Sequence, residues 1–152
     1  MSGIPTGVEI RQSTDDDWPQ VLDLYDSLSE DDLGFRFLNL HHLTADEAKR
    51  ISQHKNHITL LAVKGRRVIG EAALEEDGEI SVVVSKDCRE GGVGVSLLRS
   101  LIEMAKLGGT KCLKFFCSPS NTRMAQLGSS VGFKLTKHYG IEDKWTINLC
   151  DP

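Results

Sequence analysis

The sequence has no long hydrophobic run. None of its apolar stretches approaches the ~18 residues that a membrane-spanning helix requires. Its start, MSGIPTGVEIRQS, also lacks the basic region and the apolar region of a secretory signal. We therefore expect a cytoplasmic protein that makes no contact with a membrane. With 152 residues, the chain is predicted to form a single domain spanning 1–152.

Positive charge is also scarce. The chain has 18 Lys and Arg against 22 Asp and Glu, which gives a formal net charge of −4. A nucleic-acid-binding surface needs clustered Lys and Arg to neutralise phosphates, so we expect no direct binding to nucleic acid. The charge balance fits a basic partner, or a partner without charge.

Patterns typical of metal sites and of dithiol redox sites are missing. The chain has no C-x-x-C pair and no histidine at zinc-finger spacing from a cysteine. His41 and His42 are adjacent, which on a helix directs them to different faces, and no further ligand completes a set. We therefore expect no metal and four reduced thiols. The four cysteines are Cys88, Cys112, Cys117 and Cys150.

Hydrophobic periodicity predicts strands and helices along the whole chain. We expect helices at 14–28 and 93–107, another at 121–131, and two short ones within 29–55. Thr44 and Glu47 are spaced for a capping box at the start of the second short helix. The order predicts a mixed α/β (α+β) domain. Strands are expected at 7–13, 57–64, 66–74, 79–85, 112–118, 133–140 and 143–149.

A glycine-rich stretch, CREGGVGVSLLRS, lies between a predicted strand and a predicted helix at residues 88–100. A strand, a glycine turn and a helix start gather backbone N–H groups around an anion, and side chains there would block its approach. Gly92 and Gly94 give G-x-G, but Leu97 breaks the dinucleotide fingerprint and no G-K-[ST] follows. The spacing supports neither NAD nor ATP.

The spacing Arg89-x-x-Gly92-x-Gly94 resembles the pyrophosphate loop of the GNAT superfamily of acyl-CoA-dependent N-acetyltransferases. The predicted order of strands and helices is also the order of that family. The segment NTRMAQLGSSVGF at 121–133 is similar to the family's N-x-x-[AM]-x-x-L…G-F helix beside the CoA arm. The resemblance implies a mostly antiparallel sheet of about seven strands with about four helices, and a splay between the fourth and fifth strands.

The resemblance further implies acetyl-CoA as co-substrate. In the family the pantetheine arm pairs with the fourth strand, whose backbone N–H groups, here near Val83 and Val84, meet the oxyanion. The residues that it implies in cofactor binding are Val83, Val84, Arg89, Glu90, Gly91, Gly92, Val93, Gly94, Val95, Asn121 and Met124.

An amine must lose a proton before it attacks a thioester, and a lysine with a pKa of about 10.4 is almost wholly charged at neutral pH. The resemblance implies Glu79 as the general base, with Glu71 as a second candidate. Glu79 is otherwise a solvated carboxylate in the turn EEDGE, and Glu71 a partly exposed strand residue. Many members of the family carry a tyrosine, where this chain has Gly128, that protonates the departing CoA thiolate. Either this chain uses no side chain as general acid, or Tyr139 or a water molecule takes that role.

The segments LSEDDLGFRF and LTADEAKRI resemble the Pat type of GNAT protein lysine acetyltransferases, with Asp32 where a second serine stands. This likeness implies a stand-alone catalytic domain, monomeric or dimeric, that acetylates a lysine on a protein. A small-molecule amine N-acetyltransferase and a non-catalytic acyl-CoA sensor are the alternatives.

Two charged features have both a functional and a structural interpretation. The acidic groups at 15–17 and 30–32 form a rim that attracts a basic substrate, or they are ordinary helix-start charges, and we favour the helix-start role. Arg36 either contacts substrate or holds the helices together by salt bridges, and we favour the structural role.

Overall fold

The computed structural model describes residues 5–28, 44–53 and 57–150. Its seven strands and four helices confirm the predicted mixed fold. The predicted short helix after residue 28 and the residues Glu30, Asp31, Asp32, Arg36, His41 and His42 lie outside the described residues. The strands are β1 (Val8–Gln12), β2 (His57–Lys64), β3 (Arg67–Glu75), β4 (Ile80–Val84), β5 (Cys112–Cys117), β6 (Lys134–His138) and β7 (Asp143–Asn148). The helices are α1 (Trp18–Asp26), α2 (Ala45–Ser52), α3 (Val93–Leu107) and α4 (Thr122–Ser130).

The strands form two antiparallel sheets. The first has the order β1-β2-β3-β4 and the second has the order β5-β7-β6. Among the described residues, one parallel bridge between Glu79 and Lys114 joins them, and the Lys114 N–H donates to the Gly78 carbonyl at 3.0 Å. Beyond this point β4 and β5 separate, so the predicted splay is confirmed.

Helix α3 packs against one face of the first sheet and fills the main core. Its side chains Leu97, Leu98 and Leu101 are fully buried there. A Cβ at Gly70 of β3 would lie 2.8 Å from Leu97 Cδ1, so glycine allows the helix to approach the strand closely. This contact places the N-terminus of α3 at the wide end of the gap between the sheets.

Helices α1 and α2 cover the opposite face of the first sheet. Their buried side chains, including Val21, Leu24 and Ala48, pack on Leu61 and Val83. The longest described helix has 15 residues, and no helix in the described part of the chain has the length and apolarity needed to span a membrane.

Local capping follows the sequence at α2, and the α-helix of α1 begins later than predicted. The Thr44 and Glu47 capping box is present, with the Glu47 N–H donating to Thr44 Oγ1 at 3.1 Å. Before α1, residues 15–17 form a 3₁₀ turn and the α-helix begins at Trp18. Asp17 is 8% exposed and accepts two hydrogen bonds from Arg11, at 2.8 and 2.9 Å. Asp17 therefore anchors β1 and is not part of an exposed rim, which agrees with the favoured interpretation of 15–17 as helix-start charges.

Candidate active site

A cleft of about 360 Å³ occupies the gap between β4 and β5. Strand β4 forms one wall, the aromatic residues of β5 and the exposed face of α4 form the other, and the start of α3 lies at the wide end. Several α4 residues in the wall are exposed, so the cleft opens onto the surface. The lining residues are Leu28, Glu79, Ile80, Ser81, Val82, Val83, Val84, Gly94, Val95, Phe115, Phe116, Asn121, Arg123, Met124, Gln126, Leu127 and Ser130.

The pairing of β4 with β3 determines which backbone groups face the gap. Antiparallel residues alternate between hydrogen-bonded and non-bonded pairs. Positions 79, 81, 83 and 85 therefore bond to β3, whereas Val82 and Val84 direct their N–H and C=O groups towards β5. Val83 also lines the cleft, although its backbone N–H and C=O face β3 and not the gap. Two backbone hydrogen bonds establish which residues of β4 pair with β3. The Glu75 N–H donates to the Glu79 carbonyl at 2.8 Å, and the Ser85 N–H donates to the Ile69 carbonyl at 2.7 Å.

The glycine-rich loop provides a helix start without a side-chain cap. Residues 86–91 form a 3₁₀ helix, and Gly92 adopts φ 79° and ψ 12° immediately before α3. Because no side chain caps α3, the N–H groups of Val93, Gly94 and Val95 are available at the positive end of the helix dipole. A Cβ at Gly92 would meet no atom within 4 Å. This open, N–H-lined space fits a pyrophosphate anion, and glycine is required by its backbone conformation.

The structure describes only some of the side chains that the sequence predicted to form the cofactor loop. Gly94 lines the cleft, and a Cβ there would lie 3.1 Å from Leu127 Cδ2. Gly91 ends the 3₁₀ helix. The side chains of Arg89 and Glu90 are outside the described part of the chain, so their roles stay predictions.

The start of α4 borders the cleft as well. The Asn121 side chain accepts a hydrogen bond from the Met124 N–H at 3.0 Å and caps the helix, and both residues line the cleft. Sequence reasoning missed Arg123, Gln126 and Ser130, which also line it. Their helical spacing of three and four residues is the signal that could have identified this polar stripe.

The two candidate bases lie in different surroundings. Glu79 is partly exposed and lines the cleft, and its N–H donates to Asp77 Oδ1 at 3.0 Å. Glu71 is fully buried, receives a hydrogen bond from the Tyr25 hydroxyl, and is not among the residues lining the cleft. The alternative interpretation of Glu71 as a partly exposed residue is wrong, because α1 covers this face of β3.

An ion pair lies at the closed end of the gap. Lys114 Nζ is 3.6 Å from Asp77 Oδ2, beside the bridge that joins the two sheets. The Glu79 N–H and the nearby Lys114 ammonium lower the pKa of Asp77. Asp77 is therefore a carboxylate at neutral pH and holds the backbone of Glu79 in the turn.

At Gly128, where many members of the family have a tyrosine, an aromatic ring leaves no space for a side chain. A Cβ at Gly128 would lie 2.5 Å from Cε2 and Cζ of Phe115, which stacks on Trp145 with centroids 5.9 Å apart. Tyr139 is 49% exposed beyond β6, and it does not line the cleft. Among the described lining residues none is a tyrosine or a cysteine.

Comparisons with known proteins agree with this architecture. A sequence model of the acetyltransferase (GNAT) family matches residues 18–133. The GNAT domain of S. lividans PAT is similar with a TM-score of 0.85 and 18% identity, over 93% of this chain and 90% of that chain.

Two further structures carry ligands. YncA from Salmonella typhimurium, solved with acetyl-CoA, has a TM-score of 0.80 and 17% identity, over 97% of this chain and 96% of that chain. Spermidine N-acetyltransferase from Vibrio cholerae, solved with CoA and spermine, has a TM-score of 0.78 and 12% identity, over 95% and 96%. These likenesses show a shared fold.

The family match covers most of the chain, including β4, the glycine-rich loop and α3. The gap between β4 and β5 and the uncapped start of α3 fit an acyl-CoA thioester and its pyrophosphate. The chain therefore belongs to the GNAT acetyltransferase family and is an N-acetyltransferase with acetyl-CoA as its co-substrate.

Proposed function

We propose that this enzyme acetylates a lysine amine of a protein substrate, with Glu79 as the general base. The observation that carries the proposal is that Glu79 is the one carboxylate lining the cleft among the described residues. Its carboxylate can accept a proton at the place where the two sheets meet, beside the space available for a thioester.

When bound, acetyl-CoA supplies an acetyl group activated as a thioester. The residues that would hold it are the backbone of Val82 and Val84, the start of α3 at 93–95, and Asn121 with Met124 on α4. Because a positioned carboxylate assists proton loss better than bulk water does, Glu79 would accept the proton that the acceptor amine loses as it attacks. The chain needs no dedicated acid, since a thiol with a pKa near 8.5 leaves as a thiolate.

The class of acceptor is inferred from two observations. The segments LSEDDLGFRF and LTADEAKRI resemble Pat-type enzymes, and the GNAT domain of S. lividans PAT shares the fold. The cleft also opens onto the surface along α4, as access for a protein-borne side chain requires. A small amine is the second candidate, because spermidine N-acetyltransferase shares the same fold.

The acceptor is tested by measuring acetyl transfer to three mixtures: a lysine-containing protein, a panel of small amines including spermidine, and no acceptor. We expect the protein to be acetylated with the higher kcat/KM. A higher kcat/KM for a small amine would contradict protein acetylation and support the small-amine acetyltransferase instead.

Glu79→Gln tests the base. Turnover should fall by about 10²-fold or more at neutral pH, because positioned general bases contribute on that scale. The loss should shrink as the pH approaches the acceptor pKa of about 10.4, where the amine is neutral without help. The Kd for coenzyme A should stay near its wild-type value.

Glu76→Gln is the matched control, since Glu76 is an exposed carboxylate in the same turn and does not line the cleft. It should keep wild-type turnover. If Glu79→Gln keeps wild-type turnover while a folded Glu71→Gln enzyme loses it, Glu71 and not Glu79 is the general base.

Gly92→Val tests the pyrophosphate loop. A β-branched side chain is strained at φ 79° and enters the open space at the helix start, so coenzyme A binding should weaken strongly. Gly109→Val is the matched control, because Gly109 has φ 81° and an equally open Cβ position beyond the other end of α3. It should lose similar stability but keep its affinity for coenzyme A. If Gly92→Val binds coenzyme A as tightly as Gly109→Val does, this loop does not bind the cofactor.

A further inference from the structure

The glycine-rich loop is tied to the β2–β3 turn by one arginine. Arg67, the first residue of β3, donates from its two terminal nitrogens to the Asp87 carboxylate at 3.0 and 3.1 Å. The same guanidinium donates to Ser85 Oγ at 2.7 Å, and the Ser85 hydroxyl in turn donates to Asp87. Three side chains therefore close one network at the point where β4 ends and the 3₁₀ helix begins.

The network is anchored on a rigid part of the molecule. Ser85 is 1% exposed, its N–H donates to the Ile69 carbonyl at 2.7 Å, and its carbonyl accepts from the Cys88 N–H at 2.9 Å. These bonds connect the sheet directly to the backbone of residues 86–91, which leads into Gly92. Arg67 and Asp87 themselves are more than half exposed, and each forms hydrogen bonds with the other and with Ser85.

The charge of Asp87 opposes cofactor binding. Coenzyme A carries several negative charges, and a carboxylate five positions before Gly92 repels them. The Arg67 guanidinium and the Ser85 hydroxyl lower the pKa of Asp87, so it stays ionised throughout the neutral range. We therefore expect this carboxylate, on the segment that leads into an anion site, to act through the backbone that it holds and not through its charge.

We propose that Arg67, Asp87 and Ser85 are positioning residues that fix the 3₁₀ helix at 86–91, and thereby hold the helix-start N–H groups ready for the cofactor pyrophosphate. This inference rests on the proposed role of the loop. The network acts through the backbone of 86–92 and leaves Glu79, at the closed end of the gap, unaffected.

The proposal and simple electrostatics predict opposite results for Asp87→Asn. Removing a negative charge strengthens binding of an anion if charge alone matters. If the network positions the loop, Asp87→Asn weakens binding of coenzyme A by about threefold to fivefold, as expected for loss of a partly exposed charged pair. The Kd is measured by titration calorimetry, and kcat is measured at saturating acetyl-CoA. We expect a higher Kd and KM with kcat nearly unchanged.

Two control variants separate charge from position. Arg66→Met removes a positive charge from the residue beside Arg67, which the described structure shows without an ion pair or side-chain hydrogen bond. Asp23→Asn removes a negative charge from an exposed residue of α1 on the same side of the sheet. Neither should change the Kd by more than about twofold, since neither side chain bonds to the network and exposed charges are screened by salt.

Arg67→Met should weaken binding more than Arg66→Met, and Arg67→Lys should recover part of the loss. Ser85→Ala provides a variant without any change in charge, and it should also raise the Kd. The proposal is overturned if Asp87→Asn binds coenzyme A as tightly as wild type or more tightly. If Asp87→Asn does not fold, the same result in Ser85→Ala overturns it. In that case a large loss in Gly92→Val would still support the loop as the cofactor site, so the two failures are distinguishable.

Discussion

Gly128 lies where α4 crosses the aromatic cluster of the second sheet, and Gly128→Ala tests that packing. The added Cβ would lie 2.5 Å from two ring atoms of Phe115 and 3.5 Å from Phe133 Cβ. The Phe115 ring cannot retreat freely, because it stacks on Trp145 and meets Phe133 edge-on with centroids 5.0 Å apart. Either the ring or the helix must shift.

The expected cost follows from two opposing effects. Inserting a methyl group into a packed core costs about 1–3 kcal/mol, whereas replacing glycine by alanine within a helix gains up to about 1 kcal/mol. Because the Cβ would lie 2.5 Å from a ring that is held on two sides, the upper part of the first range applies, about 2–3 kcal/mol, and the free energy of unfolding should fall by about 1–2 kcal/mol. For a domain of this size that corresponds to a decrease in Tm of roughly 2–8 °C.

The assay is urea unfolding followed by tryptophan fluorescence and by far-UV circular dichroism. Gly108→Ala is the matched control, since Gly108 has φ −83° and a Cβ there would make only ordinary contacts. It should leave the stability unchanged or slightly higher. In a Phe115→Leu background the clash is relieved, so Gly128→Ala should cost less there by at least about 0.5 kcal/mol.

Two results would refute this reasoning. The first is a Gly128→Ala protein as stable as wild type. The second is an equal cost of Gly128→Ala with Phe115 and with leucine, which would place the strain elsewhere in α4.

Two further predictions concern ionisable groups. Arg11 lowers the pKa of Asp17, so the stability from this pair is complete above the unfolded-state pKa of about 3.9 and is lost as the pH falls through the lower folded-state value. Asp17→Asn should lower the free energy of unfolding by about 1–3 kcal/mol at neutral pH and flatten its decline in acid; an unchanged acid profile would contradict the assignment. Burial raises the pKa of the Cys117 thiol to about 11. A thiol reagent at about pH 8 should therefore label the exposed Cys112 and Cys150 in native protein, and labelling of Cys117 before unfolding would contradict its burial.

Features determined by neighbouring residues could be predicted from the sequence. The capping box of Thr44 and Glu47 needs only a spacing of three residues, and the helix start after Gly92 needs only a strand, glycines and an amphipathic pattern. The splay between β4 and β5 came from the family resemblance, because nothing local in either strand specifies it.

Features that depend on distant contacts could not be predicted in this way. The interior of β3 is buried on both faces, so alternation could not tell that Glu71 faces the Tyr25 hydroxyl inside the core. The pairing of Asp17 with Arg11 requires β1 to pass beside the turn before α1. The closed space at Gly128 depends on Phe115, which belongs to another element and is brought there only by the tertiary fold.

The single bridge between Glu79 and Lys114 makes the joined end of the two sheets a pivot. When two arms rotate about such a point, displacement grows with distance from it. Any opening of the gap about this point would therefore displace Val84 relative to β5 more than it displaces Glu79. The proposed base lies beside the point of least displacement.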